Sequence, residues 1–376
     1  MTETKPEGLV RDEDFMRAAL GLARRGLGNT APNPAVGCIL VKDGIVIGRG
    51  WTQPGGRPHA EVMALAQAEA LVGDRVAGAM AYVTLEPCAH HGQTPPCANA
   101  LVDAGIKRVI VAISDPDKRV AGRGLKILRD ADVEVVADVL RDAAWRANLG
   151  FFKRITEDRP TFTLKLATDR DGRIPPQGAK GDAKWITSVP ARQRGHLLRA
   201  QHDAVLFGIG TARDDNPLYT CRLKGLEDKS PIRVLLDSKL TLADDCKLLD
   251  TLNIAPLWII TSEDADPKRI QSLENRGVSV IMAAQSTAAH PDVNWVAHAL
   301  AHRGVNRVLI ETGPSLATAF LTSGLVDVIA WFRSERVLGE AGVPAFHDFE
   351  VEKLALVPKA VLQAGPDHLE IYELGA

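Results

Sequence analysis

Three short stretches of the chain carry side chains that can hold a metal ion and move a proton. His59-Ala60-Glu61 is followed, beyond one strand-like segment, by Glu86-Pro87-Cys88 and then by Pro95-Pro96-Cys97. One imidazole and two thiolates are three borderline-to-soft donors, a set that suits Zn²⁺ and leaves the fourth tetrahedral position to water. A metal held with an open position lowers the pKa of bound water towards neutrality. Glu61, two residues past the imidazole, is read as the group that carries protons between that water, a ring nitrogen and a leaving amine, and not as a ligand. Taken singly, each cysteine would be a buried core thiol and His59 an ordinary loop histidine. The combination reads as a site: a proline precedes both His59 and Cys88, and a helix is expected after each. His90 and His91 are read as lining it without ligating. Cys38 falls in an apolar strand, and Cys221 and Cys246 lack partners, so these three are read as structural.

These groups need elements to position them. The spacing of Phe15, Met16, Ala19, Leu20, Leu22 and Ala23 predicts a helix over 12–25. Lys42-Asp43-Gly44 between apolar runs predicts a hairpin of strands 36–41 and 45–48. A helix over 61–71 follows His59. Strand 81–85, helix 99–104, strand 108–113, helix 125–130 and strand 133–136 complete an α/β alternation of a sheet covered by helices. The pattern restarts at Pro160. Strands are expected at 160–167, 204–208, 233–236, 257–261, 278–282, 307–311 and 326–332, with helices at 190–200, 267–276, 293–303 and 315–322. Two closing strands fall at 360–363 and 368–372. The boundary is placed near 146–158, giving domains over 10–148 and 158–375.

The 376 residues exceed one comfortable core, in keeping with two domains. Forty-five Lys and Arg face 47 Asp and Glu, a net charge of −2 without the basic excess of a nucleic-acid binder. No apolar run reaches the roughly 18 residues that span a bilayer. The first residues have neither the basic head nor the apolar core of a secretory signal. Five cysteines argue against a disulfide framework. A cytoplasmic α/β enzyme is expected, with no nucleic acid and no membrane as partner.

An H-x-E stretch followed by paired cysteines after a proline is the signature of zinc nucleobase deaminases, although eight residues, and not two, separate Cys88 from Cys97. With Ala31-Pro32-Asn33-Pro34-Ala35-Val36-Gly37-Cys38, Pro58-His59-Ala60-Glu61-Val62 and Leu85–Cys97, the first half resembles the deaminase half of the bifunctional riboflavin-biosynthesis deaminase/reductases. The resemblance implies a cytidine-deaminase-like α/β/α fold. It implies hydrolytic removal of the 2-amino group of 2,5-diamino-6-(ribosylamino)-4(3H)-pyrimidinone 5′-phosphate. His59, Cys88 and Cys97 would be the zinc ligands, Glu61 the proton shuttle, and Asn33 and His90 substrate contacts. Three positions depart from the family pattern. Thr52 stands where a His is usual, Gln93 where a Lys or Arg is common, and Asp115-Pro116-Asp117-Lys118 where Asp-Pro-Asn-Pro is usual. Two of these changes remove cations near the expected phosphate, and Lys118 and Arg119 stand as replacements.

No G-x-G-x-x-G follows a strand, but Glu311-Thr312-Gly313-Pro314-Ser315 follows Val308-Leu309-Ile310 and opens a helix. A glycine turn there offers free N–H groups to a phosphate. Lys165-Leu166-Ala167 with Asp171-Gly172, Trp185-Ile186-Thr187, Leu198-Arg199-Ala200, Thr211 with Asp215-Asn216-Pro217, Arg222 and Arg233–Ser238 occur in order. Over about 160–335 these resemble the reductase half of the same family. That implies a dihydrofolate-reductase-like α/β fold and NADPH, which would reduce the ribosyl group to ribityl. Ala167, Trp185, Thr211, Asp215, Ser238 and the turn Gly313, Pro314, Ser315 to Ala319 would line the cofactor. Arg199, Arg222 and Glu311 would hold the substrate. Here Ala183 replaces a usual Ser, the loop before Trp185 is about two residues longer, and Leu218-Tyr219 stands where a single Leu is expected. The partner implied is a small pyrimidine ribosyl phosphate, and a homo-oligomer is expected. The rival readings are a nucleobase or tRNA deaminase with an appended domain of other function, and a binding module in which zinc only staples the 87–97 loop.

Overall fold

A computed structural model of the protein describes residues 7–89, 95–117, 121–176, 178–179, 185–283, 291–347, 349, 354 and 356–374, with side chains from Asp12 onward. The chain divides into two compact units, Met1–Glu157 and Asp158–Ala376. In the first, helix α1 (Glu7–Ala23) precedes the hairpin β1 (Gly37–Lys42) and β2 (Ile45–Trp51), followed by α2 (Ala60–Val72), β3 (Met80–Val83), α3 (Cys97–Asp103), β4 (Arg108–Val111), α4 (Arg123–Asp130) and β5 (Glu134–Val136). The sheet order is β2-β1-β3-β4-β5, with β1 antiparallel to β2 and β3, and the pairs β3–β4 and β4–β5 parallel. β1 and β3 are buried along almost their whole length, as expected of strands covered on both faces.

The segment read from the sequence as a boundary is helical. Helices α5 (Arg141–Ala147) and α6 (Leu149–Glu157) follow β5 and belong to the first unit. Phe152 is fully buried against that unit's core and Trp145 stacks on it at 4.6 Å. Asn148, between the two helices, bonds Ala35 through both its amide oxygen and its amide nitrogen, at 2.9 Å each. The mixture of Arg, Asn, Gly and aromatic residues reads locally as a linker. Its apolar side chains face a core that only the fold defines.

The second unit holds β6 (Thr161–Thr168), β7 (Arg173–Ile174), α7 (Val189–Ala200), β8 (Ala204–Gly208), α8 (Ile209–Asp215), β9 (Ile232–Leu236), α9 (Lys247–Asp250), β10 (Leu257–Ser262), α10 (Pro267–Asn275), β11 (Ser279–Ala283), α11 (Val293–His302), β12 (Arg307–Ile310), α12 (Pro314–Thr322), β13 (Val326–Arg333), β14 (Val343–Pro344), β15 (Ala360–Ala364) and β16 (Asp367–Glu373). Nine strands form one sheet in the order β11-β10-β9-β8-β12-β6-β13-β16-β15. The pairs from β11 across to β13 are parallel, and β16 with β15 closes the edge antiparallel. β12, late in the chain, inserts between β8 and β6. Successive residues face opposite ways: Phe162, Leu164 and Leu166 enter one apolar cluster, which leaves Thr163, Lys165 and Ala167 for the other face. Alternation in β8 sends Ala204 and Leu206 to one core and Val205 and Phe207 to another.

His202, just past α7, is 2% exposed; Nδ1 lies 2.6 Å from Leu198 O and Nε2 lies 3.0 Å from Thr163 Oγ1. Nδ1 donates to the Leu198 carbonyl, and in the neutral ring Nε2 accepts from the Thr163 hydroxyl. Burial first, and then the Arg307 charge, pushes its pKa down to about 3. An unfolded histidine titrates at about 6.5. The stabilisation from the neutral ring is thus complete above that value and is lost as pH falls towards 3, at up to about 1.4 kcal/mol per pH unit. Hydrogen exchange of the β6 amides should accelerate between pH 6.5 and 4 beyond the intrinsic change, and His202→Gln should flatten that dependence. Equal pH dependence in both chains would contradict this.

Candidate active sites

The first site is built where β2 meets α2. An ideal Cβ on Gly50 would lie 2.0 Å from Ala60 O, so only glycine lets β2 approach the start of α2 this closely. That approach holds His59, the residue before the helix, and Glu61 in its first turn. Cys88 follows β3 on an irregular segment, and Cys97 is the first residue of α3. A helix therefore follows His59, and α3, the helix expected over 99–104, opens at Cys97 itself. His59 Nδ1 lies 3.2 Å from Cys97 Sγ and 3.7 Å from Cys88 Sγ, and the three ligand atoms all fall within 4.8 Å of one another.

These distances test whether the donors fit zinc. With Zn–S near 2.3 Å and Zn–N near 2.0 Å, the N-to-S edge of a tetrahedron is about 3.5 Å, and the two observed edges bracket it. Electrostatics agree. The hydrogen bond from the Cys97 thiol is the main reason the Cys88 pKa falls, to about 4, and that same bond pushes Cys97 up. The pair thus shares a proton that a divalent cation would displace. Cys97 N–H also donates to Cys88 Sγ at 3.2 Å. Glu61 is 4% exposed, and burial raises its carboxyl to about 7. A carboxyl poised there can both take and return a proton near neutral pH.

Asn33 lies against the turn after β2: a Cβ on Gly56, whose φ is +83°, would meet Asn33 Nδ2 at 1.9 Å. Thr52, where a His would be usual, is 2% exposed, and its hydroxyl accepts from Val36 N–H at 2.9 Å. It is committed to the backbone and offers nothing to a ligand. His90, His91, Gln93, Lys118 and Arg119 lie outside the described residues. Glu86 has a part that its place in the motif did not reveal. Its buried carboxylate accepts from Gly122 N and Gly124 N at 3.0 Å and from Asp115 N at 3.2 Å, tying the strand end before Cys88 to the start of α4. An acid at the end of an apolar strand was the available signal.

In the second unit, the expected site residues gather at the carboxyl ends of the parallel strands, where open α/β sheets bind ligands. Arg199 and Glu311 form a two-armed ion pair, Nε–Oε1 2.6 Å and Nη2–Oε2 2.8 Å. Burial opposes ionisation of Glu311, but Arg199 and then Lys165 outweigh it and hold the carboxyl below its ordinary value. Arg222 reaches this cluster through His196: its N–H lies 3.4 Å from His196 Nδ1, which is 3.2 Å from Thr220 O. Burial, then Arg199 and Arg222, lower His196 to about 4.

Ala167 is the penultimate residue of β6, and Asp215 ends α8. Thr211 faces the turn after β12, where a Cβ on Gly313 would lie 3.9 Å from Thr211 Oγ1. Pro314 and Ser315 begin α12, and Ser238 follows β9. Trp185 is half exposed and is held by Arg192 over its ring at 4.9 Å and by Arg336, which donates to its carbonyl at 2.6 Å. Ala183 lies outside the described residues. Two residues join the cluster without having been assigned roles. Tyr219 donates to Glu311 O at 2.9 Å. Burial lowers the Lys165 ammonium, which is influenced next by Glu311. A lysine inside the apolar run 161–168 was a signal open to reading.

A two-unit chain of a zinc-type deaminase followed by a parallel-sheet reductase defines a bifunctional class, and comparison with known proteins agrees. Residues 9–113 match the family "Cytidine and deoxycytidylate deaminase zinc-binding region", and residues 160–369 match the "RibD C-terminal domain". The chain is 39% identical over 329 residues to the riboflavin biosynthesis protein RibD of Aquifex aeolicus, covering 88% of each. It is 37% identical over 379 residues to that of Escherichia coli, covering 95% of this chain and 98% of the relative. The structure of Acinetobacter baumannii RibD superposes with a TM-score of 0.84 at 37% identity, over 97% of this chain and 99% of that one. A Thermotoga maritima diaminohydroxyphosphoribosylaminopyrimidine deaminase/5-amino-6-(5-phosphoribosylamino)uracil reductase gives 0.83 at 33%, over 98% and 99%. The chain belongs to the RibD family of bifunctional riboflavin-biosynthesis deaminase/reductases, with a cytidine-deaminase-like first unit and a dihydrofolate-reductase-like second. This sets aside an unrelated second half. Among the described residues no helix is long and apolar enough to cross a membrane.

Glu86→Gln replaces a charged acceptor of buried N–H groups by an amide. The first unit should lose about 2 kcal/mol, the scale of a charge-assisted hydrogen bond, read as a lower denaturant midpoint, and zinc should be released more easily to a chelator. An unchanged midpoint would contradict the anchoring role.

Proposed function

We propose that the first unit hydrolytically deaminates 2,5-diamino-6-(ribosylamino)-4(3H)-pyrimidinone 5′-phosphate, and that the second reduces the ribosyl group of its product to ribityl with NADPH. The observation that carries the first half is the convergence of His59, Cys88 and Cys97 beside a buried carboxyl. Zinc, held by these three, supplies the Lewis acidity that makes water a nucleophile near neutral pH. Glu61 takes a proton from water as the water oxygen bonds the amino-bearing ring carbon, and passes it to the ring nitrogen. It then takes the second proton from the new hydroxyl and gives it to the amine, so that the C–N bond breaks, ammonia leaves and a carbonyl remains. Asn33, braced on Gly56, orients the pyrimidine.

In the second unit, reduced nicotinamide supplies the hydride. The ribosyl C1′–O4′ bond breaks, O4′ takes a proton, and hydride adds at C1′. Lys165 is the half-buried cation beside Glu311 and the proton source for O4′. The Arg199–Glu311 pair holds the substrate side of the crevice rigid, and Arg222 faces the phosphate. Support comes from the strand ends on which these residues meet and from the similarity to the Thermotoga maritima deaminase/reductase. A cytoplasmic homo-oligomer is part of this reading.

The pyrimidinone phosphate, supplied with and without NADPH, should release ammonia in both cases and consume NADPH only after deamination. Glu61→Gln should keep its zinc, lose deaminase turnover by about 10²- to 10⁴-fold, and still reduce the deaminated compound. Full deaminase turnover in that variant would refute the shuttle. Lys165→Met should abolish reduction and spare deamination. The wild-type reductase rate should fall as pH rises through a lysine value brought below about 10.4, and a rate flat to pH 10 would contradict the Lys165 role.

A further inference from the structure

Arg222 stands on a stretch of chain that neither a helix nor a strand holds. α8 ends at Asp215 and β9 begins at Ile232, and of the described residues between them only Glu227–Lys229 form a 3₁₀ turn. With no ladder of its own, such a segment takes its place from bonds to neighbouring elements. Tyr219 donates to Glu311 O at 2.9 Å, and the Arg199 guanidinium lies over its ring at 5.3 Å. Thr220 O accepts from Arg199 Nη1 at 3.4 Å. Cys221 N donates to Ser230 Oγ at 3.1 Å, within the segment itself. The link at Arg222 is different: its N–H donates to His196 Nδ1 at 3.4 Å.

His196 lies three residues before Arg199 on α7, so the two side chains share a face. Its Nδ1 is 3.5 Å from Arg199 Nη1 and 3.2 Å from Thr220 O. Two N–H donors thus converge on Nδ1, and the nearby carbonyl is already served by Arg199. The tautomer that satisfies most of these groups keeps its proton on Nε2 and offers the Nδ1 lone pair. An imidazolium would add a third positive charge beside Arg199 and Arg222; burial, and then those two charges, bring its pKa down to about 4. The ring is neutral at any pH at which the enzyme works.

We propose that His196 is a positioning residue of the reductase site: its Nδ1 fixes the backbone of Arg222 against α7 and so aims the Arg222 guanidinium at the substrate phosphate. The assignment deepens the reading of Arg222 as the phosphate contact and rests on it. Arg199 keeps its two bonds to Glu311 whatever stands at position 196, so loss of the imidazole acts through Arg222. It should weaken substrate binding equally in the ground and transition states, which raises KM and leaves kcat.

The test uses two side chains of similar shape. Asparagine carries an amide near the place of Nδ1, and leucine has the same branching without polar atoms. Reduction of the deaminated pyrimidine phosphate by NADPH is followed in the purified full chain for wild type, His196→Leu, His196→Asn, Arg222→Gln and the double variant His196→Leu with Arg222→Gln. Retained deaminase activity and thermal midpoint serve as folding controls. His196→Leu should raise KM about fivefold or more, with kcat within about twofold, and His196→Asn should stay within about twofold of wild type. Arg222→Gln should raise KM about tenfold or more, and adding His196→Leu should change it by less than about twofold, because both act through one contact. Should His196→Leu fail to fold, His196→Gln, whose amide lies near the place of Nε2, takes its part in each comparison with the same rise expected. Unchanged KM in His196→Leu, an equal rise in His196→Asn, a fall in kcat alone, or full additivity in the double variant overturns the assignment. If Arg222→Gln itself leaves KM unchanged, the reading of Arg222 as the phosphate contact fails and the assignment with it.

Discussion

Two sulfurs and an imidazole nitrogen crowd within 4.8 Å of one another beside a buried acid. Such a group is poorly stabilised by its own hydrogen bonds: one thiol keeps its proton so that the other can lose one. A divalent cation resolves this by taking both thiolates and the neutral ring. Much of the first unit serves that convergence. Gly50 lets α2 close on β2, Glu86 ties the strand end before Cys88 to α4, and α3 begins at the second thiol. The acid works because it sits in the same desolvated space, with its carboxyl held near 7 by burial.

The second unit meets a different demand with a parallel sheet. Its late strand β12 inserts between β8 and β6, so that Glu311 arrives opposite Arg199 and the turn at Gly313 arrives beside Thr211. A carboxylate and a guanidinium buried together are costly unless their geometry is good, and two short parallel bonds meet that condition. With Arg199 and Glu311 engaged with each other, Lys165 and Arg222 are the cations proposed to meet the substrate. In the proposed chemistry water is the nucleophile in one unit and hydride in the other, which gives a chemical reason for separate sites.

The metal site was legible because its chemistry depends on residue types at fixed spacing: His59, Glu61, Cys88 and Cys97 could be named from the chain alone. Most elements were legible too, since apolar runs such as 204–208 and 308–310 read as buried strands. What escaped depended on distant partners. Helix α6 looked like a linker because Phe152 finds its core only across the folded unit. Glu86 carried no visible role because its bonds are to backbone N–H groups about 30 to 40 residues away. Thr52 read as a lost cation near a phosphate, but its hydroxyl belongs to Val36. Ser238 could be named on the loop after β9, while Arg213 is brought to that loop only by the adjacency of β8 and β9.

The central claim is that one zinc ion is held by His59, Cys88 and Cys97, and metal analysis of the purified full chain tests it most directly. Chain prepared without chelators should contain one zinc per molecule; Cys88→Ser and Cys97→Ser should each lose it, while Cys38→Ser should retain it. Zinc absent from the wild type with no capacity to take it up, or retained when both Cys88 and Cys97 are replaced, would contradict the account.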